Sequence, residues 1–284
     1  MPDASPSPSA NRVRDRAHVE REYGTEKWPT VARSIAEHAE REPVGAATLA
    51  RVHRRVVRDY AYRAAPMAEL VVFVAGRRQP MRSSLAWGGQ SRLISDAVVD
   101  ACNEDTELVV ELGCGWGWHI IGSWLAGGPR GARYVGAEYT QAGRGATQSL
   151  ADLDPELRFQ ALAFDYNDPF ASLGSLGRVR DAVVFSVHSI EQIPQLSPDV
   201  PRAIAGLAER VRCLHFEPVG WQVDEDSGGS SRAYAEQHDY NRDLLAVLRA
   251  EEAAGGLRID EIALDLVGLN PNNSSTLVRW SAGA

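Results

Sequence analysis

Val109-Val110-Glu111-Leu112-Gly113-Cys114-Gly115-Trp116-Gly117-Trp118 decides how the rest of the chain is read. An apolar run ends in three glycines at alternate positions. Glycine accepts φ > 0 and lets a backbone come close to a ligand. A strand, a tight turn and a helix start at this point set backbone N–H groups at the carboxyl edge of a sheet, where ligands of doubly wound folds bind. A dinucleotide turn would read G-x-G-x-x-G. Here Trp118 stands in the place of its third glycine, the spacing is G-x-G-x-G, and Glu111 precedes the first glycine by two residues. Further along, Glu138 closes the next apolar run, about 20 residues past the turn, where an acid can hold a ribose hydroxyl pair. Asp165 closes a third, in Ala163-Phe164-Asp165.

Taken singly, a glycine turn is only a turn, and an acid at a strand end is often only a helix cap. The joint pattern resembles the class I S-adenosylmethionine-dependent methyltransferases, over roughly Glu107 to Ala284. That resemblance implies S-adenosylmethionine as cofactor. Glu111, Gly113, Gly115 and Gly117 then form the turn against its amino-acid part. Glu138 becomes the ribose acid, Asp165 the acid at the adenine amino group, and Tyr139 lies along the adenine.

The surrounding order agrees with a doubly wound α/β fold. Apolar runs at Leu108–Val110, Tyr134–Gly136, Phe159–Phe164, Ala182–Val187 and Val211–Phe216 read as buried parallel strands. Helix-like stretches such as Gln141–Asp152 and Val200–Arg210 supply crossovers. Ile259–Val267 and Ser274–Trp280 flank a turn-rich link and read as an antiparallel pair. The expectation is a mostly parallel seven-stranded sheet with a C-terminal antiparallel pair and an N-terminal helical extension. Residues 1–12 read as a disordered tail, 13–104 as the extension or lid, and 105–284 as a Rossmann-like methyltransferase domain. Within the extension, Pro29–Arg41, Ala46–Ala64 and Ser91–Cys102 read as helices. Leu70–Ala75 is a short apolar run, and Arg77–Gln90, with Gly88-Gly89, reads as a loop or lid.

With 284 residues, 44% of them hydrophobic, the chain can bury a large core. A net charge of -8, Lys27 as the only lysine and dispersed arginines argue against a nucleic-acid partner. No apolar run spans a bilayer, so no membrane partner is expected. The N-terminus has no apolar core behind its polar start, so no secretory signal is read there. Cys102, Cys114 and Cys213 are scattered and odd in number, which suits a reducing, cytoplasmic setting without a disulfide framework. The partner expected is a small-molecule substrate, with a homodimer left open.

The strands that follow carry the candidates for chemistry. The fourth exits through Val187-His188-Ser189-Ile190-Glu191, and the fifth ends at His215-Phe216-Glu217. In the resembled fold these ends face the transferable methyl group, so His188, Glu191 and Glu217 are the catalytic candidates. His188 has the pKa range to remove a hydroxyl proton, oriented by a carboxylate; a hydrogen-bonded histidine at a strand end reads equally well. The resembled family's Asp/Asn-Pro-Pro-Tyr signature is absent at the fourth strand, where Ser186-Val187-His188-Ser189 stands, and on that resemblance this leaves O- or N-methylation of a small metabolite. His188, His215 and Glu217 also raise a metal site, but His215 reads better as a core histidine, and no metal is expected. Substrate contacts are expected from Trp28, Arg82, Trp87, His238 and Tyr240. The competing readings are a peptide or protein methyltransferase, a non-catalytic S-adenosylmethionine-binding protein and a nucleotide-dependent oxidoreductase.

Overall fold

The computed structural model describes residues 15–40, 42–223 and 229–283; the expected tail at 1–12 lies outside them. α1 (Arg16–Val19) and a π-helical segment (Glu20–Lys27) run directly into α2 (Trp28–Ala39). Asp15 caps this start by accepting the His18 N–H at 2.7 Å, and Pro29 lies in the first turn of α2. α3 (Ala46–Ala61), β1 (Glu69–Val74), β2 (Arg77–Arg82) and α4 (Ser83–Ala101) follow. Then come β3 (Leu108–Leu112), α5 (Trp118–Leu125), β4 (Arg133–Glu138), α6 (Gln141–Ala151), β5 (Phe159–Ala163), α7 (Pro169–Leu173) and β6 (Val179–Val187). α8 (Asp199–Ala205), β7 (Ala208–Glu217), α9 (Gly229–Gln237), α10 (Leu244–Ala253), β8 (Arg258–Gly268) and β9 (Ser275–Gly283) complete the described chain.

All the strands join one sheet in the order β2-β1-β8-β9-β7-β6-β3-β4-β5. β5, β4, β3, β6 and β7 are parallel neighbours, and β9 runs antiparallel between β7 and β8. Side chains of a strand alternate between faces. Val109, Val183, Phe185 and Leu214 therefore pack with α2 to α6, while Val110, Val184, Cys213 and Val278 pack with α7, α8 and α10. Among the described residues no helix is long and apolar enough to cross a membrane.

The sheet has nine strands rather than the expected seven. The additional pair comes from the region read as helical extension and loop: β1 and β2 pair antiparallel, and β1 then adds to β8. Arg77-Arg78-Gln79-Pro80-Met81-Arg82 is mostly exposed and has no apolar alternation, so nothing in its pattern marks a strand. Its pairing follows from a two-residue turn, Ala75-Gly76, with φ of 47° and 77°, the both-positive geometry that matches strand twist in hairpins. The rest of the expected loop, Ser83 to Gln90, is the start of α4, which buries Ser83, Ala86, Gln90 and Ile94 on one face. Two glycines inside a helix cost about 1 kcal/mol each, an amount that this buried face offsets. The expected helix over Val200–Arg210 stops at Ala205, because Ala208 already pairs with Val179 in the sheet.

Candidate active site

A cavity of about 750 Å³ opens over the carboxyl ends of β3, β4, β5 and β6. Its floor is the glycine turn. Gly113, Gly115 and Gly117 have φ of 68°, 56° and 85°, all in the left-handed region. Gly113 and Gly115 line the cavity; Gly117 does not, and instead forms the N-cap of α5. A Cβ at Gly115 would lie 2.7 Å from Cζ2 of Trp28, and one at Gly143 would lie 2.9 Å from its Cδ1. Trp28 is thus held between the turn and the start of α6, buried, with its Nε1–H unpartnered.

The three acids of the turn and strand ends all reach this cavity. Glu111 accepts the Ile120 N–H at 2.9 Å and so ties β3 to α5. Burial pushes its pKa well above the usual carboxylate range; the Ile120 N–H opposes that shift and nearby Glu138 adds to it. Glu138 accepts from the Gly115 N–H at 3.1 Å and from the Thr140 N–H and hydroxyl at 2.9 and 2.7 Å. Those bonds use three of the roughly four acceptor sites of a carboxylate, fixing its orientation toward the turn. Asp165 accepts the Asn167 backbone and side-chain N–H groups on Oδ1, and pairs through Oδ2 with Arg16 at 2.6 Å. The segment before α2 therefore reaches the cavity, contributing Arg16 and Tyr23 to its wall, which Tyr139 also lines.

No family model matches the chain, and no curated protein does. Solved methyltransferases are among the structures similar to it in fold. One is magnesium protoporphyrin IX methyltransferase (ChlM) from Synechocystis PCC 6803 with bound SAM, at 17% identity over 71% of this chain and 83% of that one, TM-score 0.45. Another is an O-methyltransferase from Bacillus cereus in complex with SAH, at 10% identity over 90% and 99%, TM-score 0.48. A third is geranyl diphosphate methyltransferase in complex with GPP and sinefungin, at 13% identity over 94% and 98%, TM-score 0.47. Likeness at this level assigns no chemistry to the present chain, which has to be read from its own residues.

His188 sits at the mouth of β6 with φ +48°, outside the usual range for a side-chain-bearing residue. Its Nδ1 meets Glu191 Oε2 at 2.9 Å and its Nε2 meets Ser275 Oγ at 2.7 Å. Burial acts to lower its pKa, but the charges of Glu191 and Glu217 and the Glu191 hydrogen bond outweigh it, and the net shift is upward. Glu191 is held in turn by Gln192 at 2.8 Å and Asn273 at 3.3 Å. His188 and Glu191 both line the cavity; Glu217 does not. Fully buried, Glu217 accepts from Ser186 Oγ at 2.7 Å and from the Ser189, Ile190 and Glu191 N–H groups at 3.1 Å. It caps the turn that carries His188, and burial raises its pKa to about 7 against the pull of His188.

His215 lies deeper. It accepts from Trp280 Nε1 at 3.0 Å and donates through Nδ1 to Ser186 Oγ at 3.0 Å, so it is a satisfied core histidine, neutral because burial lowers its pKa to about 3. Among the described residues no group of His, Cys, Asp and Glu is placed to hold a metal ion.

Of the expected substrate contacts, Trp28 and Trp87 line the cavity. Arg82 is exposed on β2, His238 stacks on Tyr234 at 4.0 Å, and Tyr240 is buried beside them; none of these three reaches the cavity. In place of the α9 segment, Leu269, Asn270 and Asn273 from the link between β8 and β9 form that side of the wall. Tyr60, Gln90, Ser189 and His119 also line it. Tyr60 follows the apolar spacing Leu49, Val52, Val56 on α3, and His119 follows Trp118 directly, but neither position carries a sequence signal that separates cavity wall from core.

Proposed function

We propose that this chain is an S-adenosylmethionine-dependent methyltransferase of class I that acts on an oxygen or nitrogen of a small molecule. The observation that carries the reading is the convergence of Glu111, Gly113, Gly115, Glu138, Tyr139 and Asp165 on one cavity at the carboxyl edge of the sheet. The donor set fits the cofactor's chemistry. Glu138 retains acceptor capacity for ribose hydroxyls, Asp165 is an acceptor for an amino group once Arg16 shares it, and the Trp28 Nε1–H is an unused donor. S-adenosylmethionine, when bound, supplies an electrophilic methyl group.

The protein's part is alignment and proton removal. Holding the acceptor in line accounts for much of such an acceleration. For a hydroxyl acceptor, His188 is the base. Glu191 takes its Nδ1–H and raises its basicity, and Nε2 accepts the proton when its bond to Ser275 Oγ is exchanged for one to the acceptor. Glu217 is a positioning residue that holds the turn. The N-terminal helices exclude water from above.

Calorimetric titration with S-adenosylmethionine and S-adenosylhomocysteine, with NADH alongside, tests this. The reading expects the first two to bind and NADH not to. Failure of both to bind a folded sample would return the oxidoreductase to consideration.

A further inference from the structure

Among the described residues, three buried polar atoms in the cavity wall have no hydrogen-bond partner: Trp28 Nε1, Gln90 Oε1 and His119 Nδ1. Buried polar groups in proteins are nearly always paired, and an exception inside a cavity points to a ligand. Trp28 stands at the glycine turn. Gln90 and His119 stand apart from it, on α4 and α5, which are clamped together where Trp87 stacks on Trp118 at 5.5 Å and 25°. Trp87 and Gln90 are three residues apart and share a face of α4. The His119 ring lies nearly parallel to that of Trp118, 5.2 Å and 7° away. Burial, then the charges of His53 and His188, lower its pKa to about 3, so its ring is neutral and offers one donor and one acceptor.

Several charged groups of the cavity lining are already paired. Arg16 pairs with Asp165, Lys27 with Glu22, and His188 with Glu191. Among the described residues an anionic acceptor meets no cation there without a carboxylate partner, Glu191 also holds Gln192 and Asn273, and Glu111, beside His119, is held toward its neutral form by burial. What the wall offers is neutral hydrogen bonding beside an indole, with the Asn270 amide in the same cavity lining.

On the methyltransferase reading above, we propose that Gln90 and His119 hold the methyl acceptor, and that the acceptor is a neutral ring compound bearing hydroxyl groups, packed against Trp87. A hydroxyl donates to Gln90 Oε1 and a second exchanges hydrogen bonds with His119. In the transfer, an acceptor oxygen bonds to the methyl carbon, the carbon–sulfur bond breaks with its electron pair left on sulfur, and the hydroxyl proton passes to His188. A phenol and a sugar share this chemistry.

The full chain with tritiated S-adenosylmethionine is offered catechol, methyl glucoside, benzoate and benzylamine. Label is expected in catechol or in methyl glucoside, and which of the two is labelled identifies the source. Gln90→Leu and His119→Phe should then lose about tenfold or more in kcat/KM. Cofactor affinity should be unchanged and the unfolding temperature should not fall, because each change removes an unpaired atom. His119→Asn, which restores a hydrogen-bonding group, should recover part of the loss. Label in benzoate or benzylamine, label in none of the four, or wild-type rates in both apolar variants would overturn the proposal. Calorimetry separates the two levels: a chain that binds S-adenosylmethionine but labels neither neutral compound sinks this inference alone, while one that does not bind it sinks the methyltransferase reading as well.

Discussion

At Gly115 the backbone takes φ +56° directly beneath the indole of Trp28. A β-branched side chain there faces both a disfavoured backbone, at about 1–3 kcal/mol, and a ring that cannot retreat. Gly115→Val is expected to abolish S-adenosylmethionine binding in calorimetry; normal affinity would remove the turn from the site. His188 makes a different prediction. Its raised pKa means that its stabilising pair with Glu191 is fully present below about 6.5 and is lost as pH rises through the higher folded value. The free base forms over that same upper range, so the acidic limb of kcat/KM should lie above 6.5. Glu191→Gln removes the anion and should move that limb to lower pH; a limb that stays put takes His188 out of proton transfer. His215, held neutral to about pH 3, acts oppositely on stability. Between pH 7 and 5 the unfolded chain takes up a proton that the folded chain refuses, so the advantage of wild type over His215→Gln in denaturant unfolding should narrow by about 2 kcal/mol.

Elements show where a local pattern stops being informative. β3 and β6 are apolar on both faces because they are central and parallel, and that composition marks them in the sequence. β2 is an exposed edge, and its Arg77, Arg78, Pro80 and Arg82 are the residues that keep an edge from pairing with another chain. Replacing Arg78 and Pro80 together with valine should leave the hairpin paired to β1 and cause concentration-dependent self-association in sedimentation velocity. A monomer at all concentrations would mean that the edge is protected some other way. α4 illustrates the reverse case: Gly88-Gly89 reads as a break, yet the helix continues because its buried face is held against α5 and the sheet.

For the molecule as a whole, the cavity is assembled from distant parts of the chain: α1 and α2, the turn after β3, the exits of β4, β5 and β6, and the link between β8 and β9. Bound S-adenosylmethionine at a hundredfold its Kd should add about 2.7 kcal/mol of stability, read as a higher unfolding temperature. Trp28→Ala should cost about 3–5 kcal/mol through the void it leaves and should also shrink that ligand-induced increase. A variant that is destabilised but keeps the full increase would confine Trp28 to packing.

The glycine turn, the strand-end acids and the β-α order were legible in the sequence, because φ > 0, strand-end position and two-faced burial each impose residue types on consecutive positions. Glu217 as a cap rather than a cavity acid, the hairpin that widens the sheet, and Gln90, His119 and Asn270 in the cavity wall were decided by tertiary structure. Each depends on which element lies against which, and a polar residue on a helix reads the same in sequence whether its neighbour across the gap is solvent, protein or ligand.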